Sequence, residues 1–328
     1  MFHINVILVV VHLNENFDNK LLFLSGGTGT PKLLMGFRKI LNDDKLTIIG
    51  NTADDDIFYG LLVSPDIDTL IYLFSDQLDL KKFWGVKNES FNVLNQIEKY
   101  GEEIWFRLGD KDLGLHLVRN KLLLQGCNYH EIVQELCSRL GVTAKIIPMT
   151  NNHVRTKLLT KSGLELSFQE YTVKMRENIT IQSVCYEGCE KAAAVEEAVN
   201  AISNADTIII GPSNPITSIG PILSIRELKT ALCNTEAKII AVSPLSSGKA
   251  FSGPAARLMN ELNIESTSLG IAKLYREFLD TAIICNNDKE LQDEINKLGI
   301  ETICTNISLK TENEREELTK IILKECKK

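Results

Sequence analysis

Apolar residues in this chain come in short runs that end in polar, glycine-bearing segments. Leu21 to Leu24 is the first run, and Ser25-Gly26-Gly27-Thr28-Gly29-Thr30-Pro31-Lys32 follows it. Leu33, Leu34, Phe37, Ile40 and Leu41 then recur at helical spacing. That order predicts a strand, a tight loop and a helix start. Leu46 to Gly50 is a second run and leads into Asn51-Thr52-Ala53-Asp54-Asp55-Asp56. Thr207 to Gly211 leads into Pro212-Ser213-Asn214-Pro215, and Lys238 to Val242 leads into Ser243-Pro244-Leu245-Ser246-Ser247-Gly248-Lys249. Thr281 to Cys285 is a further run, and helical patterns cover Glu190 to Ser203 and Ala255 to Leu262. Strands alternating with helices predict an α/β fold, a Rossmann-like parallel sheet with helices on both faces. In such a sheet a ligand binds beyond the carboxyl ends of the strands, where these polar segments fall.

Two stretches depart from the alternation. Residues 66–140 read as a helix-rich insertion, with a helix beginning near Thr69. Residues 153–186 read as a small strand-containing insertion, because Leu164-Glu165-Leu166-Ser167-Phe168-Gln169 alternates in polarity. Lys289 to Lys328 reads as helix-rich and charged. No repeat or flexible linker divides the chain, which predicts one domain over residues 21–328. Residues 1–20 are expected to be an extension, or to precede the true start of translation. Their apolar run, Val6 to Leu13, is interrupted by His12 and too short to cross a bilayer. No basic residue precedes it and no small-residue cleavage site follows, so a cytoplasmic protein is expected.

The chain has 328 residues, 44% hydrophobic and 24% charged, the composition of an ordinary soluble domain. A net charge of −7 argues against a protein that wraps duplex nucleic acid. The eight cysteines form no zinc-type array; Cys185 and Cys189 are four apart without a second pair, so reduced thiols are expected.

Glycines let a backbone approach a ligand, and a helix N-terminus offers free N–H groups to an anion. The first loop therefore suits a phosphate or diphosphate of a nucleotide; an ordinary structural turn is the alternative. A dinucleotide fingerprint fails, because Gly27 and Gly29 are followed by Lys32 at the third glycine position. A P-loop fails at Lys32, which stands between Pro31 and Leu33, and at Lys249, where Ser243 and Ala250 replace the required residues. Asp54, Asp55, Asp56, Asp66 and Asp68 cluster in sequence. They suit Mg²⁺ beside bound phosphate, or else form an acidic turn with Asp66 and Asp68 capping a helix. Arg107-Leu108-Gly109-Asp110-Lys111-Asp112 offers an arginine that grips phosphate or carboxylate or stacks on a planar ring; a surface ion-pair cluster is the alternative. His116, alone, reads as packing. No Ser-His-Asp or Cys-His arrangement is apparent.

Taken in order, six segments resemble the 2-phospho-L-lactate transferases of deazaflavin coenzyme F-420 biosynthesis. They are Ser25 to Leu34, Asn51 to Asp55, Ser64-Pro65-Asp66-Ile67-Asp68-Thr69-Leu70, Arg107 to Asp112, Gly211 to Pro215 and Ser243 to Lys249, and the resemblance covers roughly residues 21–310. It implies a Rossmann-like core, Mg²⁺ and a homodimer. The implied donor is lactyl-2-diphospho-5′-guanosine and the acceptor 7,8-didemethyl-8-hydroxy-5-deazariboflavin; GMP leaves. Some relatives take an enolpyruvyl or glyceryl version of the donor. By the same resemblance, Asp68 and Arg107 contact the deazaflavin, and Gly26, Gly27, Thr28, Gly29 and Lys32 hold the donor diphosphate. Ser213, Asn214, Ser247, Gly248 and Lys249 complete the guanosine pocket. Asp68 or Asp55 orients the attacking hydroxyl or takes its proton, and Asp55 with Asp54 holds the metal. The rival reading is a related family of regulatory proteins that share the core and glycine loop but bind UDP-sugars; the Ser64-to-Thr69 and Arg107-to-Asp110 segments favour the transferase. A nicotinamide dehydrogenase is disfavoured by the missing third glycine.

Overall fold

The computed structural model describes residues 17–326. In chain order the strands are β1 (Leu21–Ser25), β2 (Leu46–Gly50), β3 (Asp56–Phe58), β4 (Leu61–Val63), β5 (Lys145–Pro148), β6 (Arg155–Thr160) and β7 (Glu165–Ser167). They continue with β8 (Ile181–Glu187), β9 (Thr207–Ile210), β10 (Lys238–Val242), β11 (Leu245–Ser246), β12 (Lys249–Ala250), β13 (Thr281–Cys285) and β14 (Glu301–Thr305). Seven of them form one sheet in the order β14-β13-β10-β9-β1-β2-β5, every neighbouring pair parallel.

Both faces of this sheet are covered, which is why its strands read as unbroken apolar runs. Alternate residues of β1 serve two cores. Leu22 and Leu24 pack with Ile208, Ile210 and Ile239, under the helices Glu196–Ser203 and Arg226–Asn234. Leu21 and Phe23 pack on the other side with Phe37 and Ile40 of helix α1 (Gly29–Ile40), Leu70 of α2 (Pro65–Phe74), and Leu318 and Ile322 of the last helix, Glu312–Glu325.

The helix-rich segment between β2 and β5 contains α2, α3 (Asn92–Lys99), α4 (Asp110–Leu124) and α5 (Tyr129–Arg139). The later excursion is a three-stranded antiparallel sheet, β7-β6-β8, whose Leu158, Leu166 and Ile181 join the first core.

The structure corrects three local expectations. Helix α2 starts at Pro65, not near Thr69, since a proline at the first helical position is already set for the helix and Ser64 is its N-cap. Asp66 and Asp68 therefore lie inside its first turn. Residues 301–305 are a strand within the segment read as helix-rich; Thr302, Ile303 and Thr305 are β-branched and pair along β13. Glu190 to Val195 precede their helix, which runs only Glu196–Ser203. Of the stretch expected as an N-terminal extension, residues 1–16 lie outside the described residues. Phe17 is buried in the second core, and Lys20 N–H donates to Asp206 Oδ2 at 2.7 Å, so residues 17–20 belong to the packed body.

Candidate active site

Chain connections leave β1 in opposite directions, to β2 on one side and eventually to β9 on the other. A crevice opens at the carboxyl end of the sheet at such a switch point. The loop after β1 and the loop after β9 meet there. A Cβ on Gly29 would lie 1.9 Å from Pro212 O, and one on Gly211 would lie 2.0 Å from Thr30 Oγ1. Only glycine permits that contact. Thr30 Oγ1 and Ser213 Oγ share a hydrogen bond of 2.7 Å, and Ser213 Oγ donates to Gly26 O at 2.5 Å. Helix α1 begins at this seam, and the first amides of a helix have no partner within it.

A cavity of about 810 Å³ opens here, and Gly26, Gly27, Thr28, Gly29, Lys32, Asp68, Arg107, Ser213 and Asn214 all line it. Five of these nine lie on the two loops after β1 and β9, and Gly29 opens helix α1 directly after the first, as the sheet edge predicts. Lys32 is half-buried in the wall with its ammonium 5.0 Å from the Phe83 ring centre, and no ion-pair partner for it occurs among the described residues. Burial first, and Arg315 second, lower its pKa. A desolvated, unpaired cation beside a helix N-terminus suits an anionic ligand. Arg107 reaches the cavity while its guanidinium stacks 4.3 Å from the Phe91 ring centre. Ser247, Gly248 and Lys249 sit elsewhere: Ser247 and Gly248 form the turn between β11 and β12, and Lys249 is exposed outside the cavity lining. Ser247 N–H donates to Asp288 Oδ1 at 2.7 Å, which pins that turn to the next strand's end.

Beneath the glycine loop lies a group of buried carboxylates. Asp66 Oδ1 accepts the Gly27 N–H at 2.7 Å, and Asp66 Oδ2 accepts Asn51 Nδ2 at 2.9 Å. Burial, opposed by those two bonds, pushes Asp66 up to about 6. Burial likewise raises Asp54 and Asp55, and neighbouring carboxylates add to it. Asp55 Oδ1 accepts the Ser64 hydroxyl at 2.6 Å, whereas Asp54 Oδ1 is buried with no hydrogen bond. Asp56 points away and pairs with Arg155 at 2.8 Å. Neither Asp54 nor Asp55 lines the cavity. Among the described residues no three His, Cys, Asp or Glu side chains converge as a self-sufficient metal site. The orphaned oxygen of Asp54, in a crowd of carboxylates, is the feature that fits a divalent cation.

Asp68 is held differently. Both of its oxygens accept from Arg119, Oδ1 from Nη2 and Oδ2 from Nη1, the latter at 3.2 Å. Oδ2 also accepts the Ser64 N–H at 3.1 Å. Arg119 is fully buried, and its Nη1 lies 3.1 Å from His116 Nδ1. An arginine only donates, so His116 carries its proton on Nε2. That Nε2 lies 3.2 Å from Asp112 Oδ1, which also accepts the Tyr72 hydroxyl at 2.5 Å. Asp68, Tyr72 and Asp112 all line the cavity. Asp112 and Tyr72 escaped the sequence reading. The signal was present, since Asp112, His116 and Arg119 are spaced i, i+4, i+7 and so share one face of α4.

A parallel sheet of this order, with a glycine loop, an unpaired lysine and fixed carboxylates at its switch point, defines a Rossmann-like protein with a crevice suited to an anion. The sequence model described as 2-phospho-L-lactate transferase CofD matches residues 21–325. A 2-phospho-L-lactate transferase of Methanococcoides burtonii is 39% identical over 303 residues, 92% of this chain and 98% of that protein. One from Methanocaldococcus jannaschii is 39% identical over 306 residues, 92% and 97% of the respective chains. A solved structure of a Bacillus halodurans protein superposes with a TM-score of 0.61 over 93% of this chain and 99% of its own, at 17% identity, which bears on the fold alone. The chain belongs to the 2-phospho-L-lactate transferase family, a family of transferases of coenzyme F-420 biosynthesis.

Proposed function

We propose that this chain transfers the 2-phospholactyl group of lactyl-2-diphospho-5′-guanosine to 7,8-didemethyl-8-hydroxy-5-deazariboflavin. The terminal ribityl oxygen forms a bond to the phosphorus beside lactate, the bond from that phosphorus to the GMP phosphate oxygen breaks, and the hydroxyl proton is released. The observation that carries this reading is one cavity holding both an anion-binding wall, Gly26–Gly29 with Lys32, and a fixed carboxylate, Asp68. Transfer of a phosphoryl group rests on positioning and charge neutralisation more than on covalent chemistry by the protein. Lys32 and the first amides of α1 hold the diphosphate, with Ser213 and Asn214 from the facing loop. Asp68 orients the attacking hydroxyl or accepts its proton, as the carboxylate of the Asp55 and Asp68 pair that faces the cavity. Arg107 and the half-exposed rim aromatics Trp84 and Phe251 offer flat surface for the deazaflavin ring. Asp54 and Asp55, buried behind the cavity wall, would be the residues to hold Mg²⁺, which would supply neutralising charge to the diphosphate.

The test is an end-point reaction of purified protein with the deazaflavin, the lactyl donor and Mg²⁺, read by chromatography and mass spectrometry. A parallel tube contains the enolpyruvyl donor. The expected result is a phospholactyl deazaflavin and GMP in equal amounts, with the faster tube naming the preferred acid. No product in either tube, from protein that binds a UDP-sugar by calorimetry, would transfer the chain to the regulatory reading.

A further inference from the structure

We propose that Arg119 and His116 are positioning residues that hold the two cavity carboxylates of α2 and α4, Asp68 and Asp112, in one fixed relation. The proposal rests on the transferase reading and assigns no contact between either residue and substrate. Both side chains are fully buried, at 0% exposure, and neither lines the cavity. Arg119 spans the gap by gripping Asp68 with both terminal nitrogens and Leu62 O with Nη1 at 3.2 Å. His116 is the link to the second carboxylate, with Nδ1 facing Arg119 and Nε2 facing Asp112. His116 Nε2 lies 3.2 Å from Asp112 Oδ1 but is not aligned along a hydrogen bond, so that end works by contact. The Tyr72 hydroxyl closes the arrangement from α2.

The cost of this arrangement argues for a purpose. A buried ion pair seldom stabilises a fold more than apolar residues of similar volume, because both charges leave water. A fork that is planar and donates in parallel restricts a carboxylate as no ammonium does. Asp68 Oδ2 accepts from both Arg119 and Ser64 N–H, which leaves Oδ1, bonded once to Arg119, as the oxygen able to accept from a hydroxyl. Asp112 accepts the Tyr72 hydroxyl on Oδ1 and lines the cavity, so Oδ2 is the oxygen left for a second hydroxyl. Two carboxylates locked this way match an acceptor carrying several hydroxyls in a row, such as a ribityl chain, and set which hydroxyl meets Asp68.

Steady-state kinetics of four variants test this, each checked for its melting midpoint: Arg119→Lys, His116→Gln, Asp68→Asn, and Asp68→Asn with Arg119→Lys. Arg119→Lys keeps the charge and loses the fork. Its kcat is expected to fall about 30- to 100-fold, the scale of a misplacement near 1 Å, with the donor KM within about twofold of wild type. His116→Gln is expected to lower kcat about tenfold while folding normally. In the Asp68→Asn background, Arg119→Lys is expected to cost less than about threefold more, since residues acting as a unit are not additive. Wild-type kcat in folded Arg119→Lys overturns the proposal, as does full multiplication of the two losses in the double variant. Should Arg119→Lys not fold, wild-type kcat in folded His116→Gln overturns it alone. Absence of turnover by the wild-type protein would instead remove the transferase reading, and the positioning role with it.

Discussion

At the scale of single residues, the cavity separates groups that face a ligand from groups that support them. Asp68 faces it, and Asp68→Asn should lower kcat on the order of 100-fold or more while the protein still folds, measured by product formation and thermal unfolding. Lys32 is a charge without a protein partner among the described residues, so Lys32→Ala should raise the donor KM about tenfold by loss of a charge-assisted contact. Lys249 is exposed outside the cavity lining, and Lys249→Ala should change that KM less than Lys32→Ala does. Asp66 supports the loop through the Gly27 N–H, and burial raises its pKa from 3.8 to about 6. Its pKa is higher in the folded protein than in the unfolded chain, so the native state binds the extra proton. The contribution of Asp66 is complete below the unfolded value and is lost as pH rises through the folded one. Urea midpoints should therefore show wild type losing stability relative to Asp66→Asn from pH 3.8 to about 6 and no further loss above that. A flat difference across the range would mean Asp66 is not shifted by burial.

At the scale of elements, legibility followed period. The runs at β1, β2, β9, β10 and β13 were readable because a strand covered on both faces must be apolar throughout. Strand β14 was not, since Glu301 and Cys304 interrupt its pattern on a sheet edge and the residues around it are charged. The first turn of α2 was misplaced because Asp66 and Asp68 look like caps in sequence, whereas Ser64 and Pro65 start the helix. Glycines were legible as a loop but not as the seam that they make. Gly29→Ala should force the β1 and β9 loops apart, costing about 2 kcal/mol or more in stability and weakening donor binding together. Calorimetry of the donor alongside thermal unfolding checks both. Unchanged donor affinity in the folded variant would show that the seam does not shape the anion site.

At the scale of the whole molecule, the family resemblance implies a homodimer, and light scattering should return twice the 36.7 kDa of one chain. Among the described residues no helix is long and apolar enough to cross a membrane. Covalent spacing alone determined the alternation of strands and helices, the two-faced burial of the sheet, and the polar segments waiting at strand ends. These are local properties, written in periods of two and of 3.6 residues. Tertiary structure decided which of those segments meet. The seven-strand order sets β1 beside β9, so that Thr30 bonds to Ser213 across 183 residues of chain. It folds α4 against α2, so that Arg119 holds Asp68 across 51 residues. It also leaves Lys249 exposed and outside the cavity lining, although Pro244 and Phe251 on either side of its turn line the cavity. No local period encodes such meetings, because they depend on the path of the crossovers and on the burial that makes an unpaired charge costly enough to require its partner.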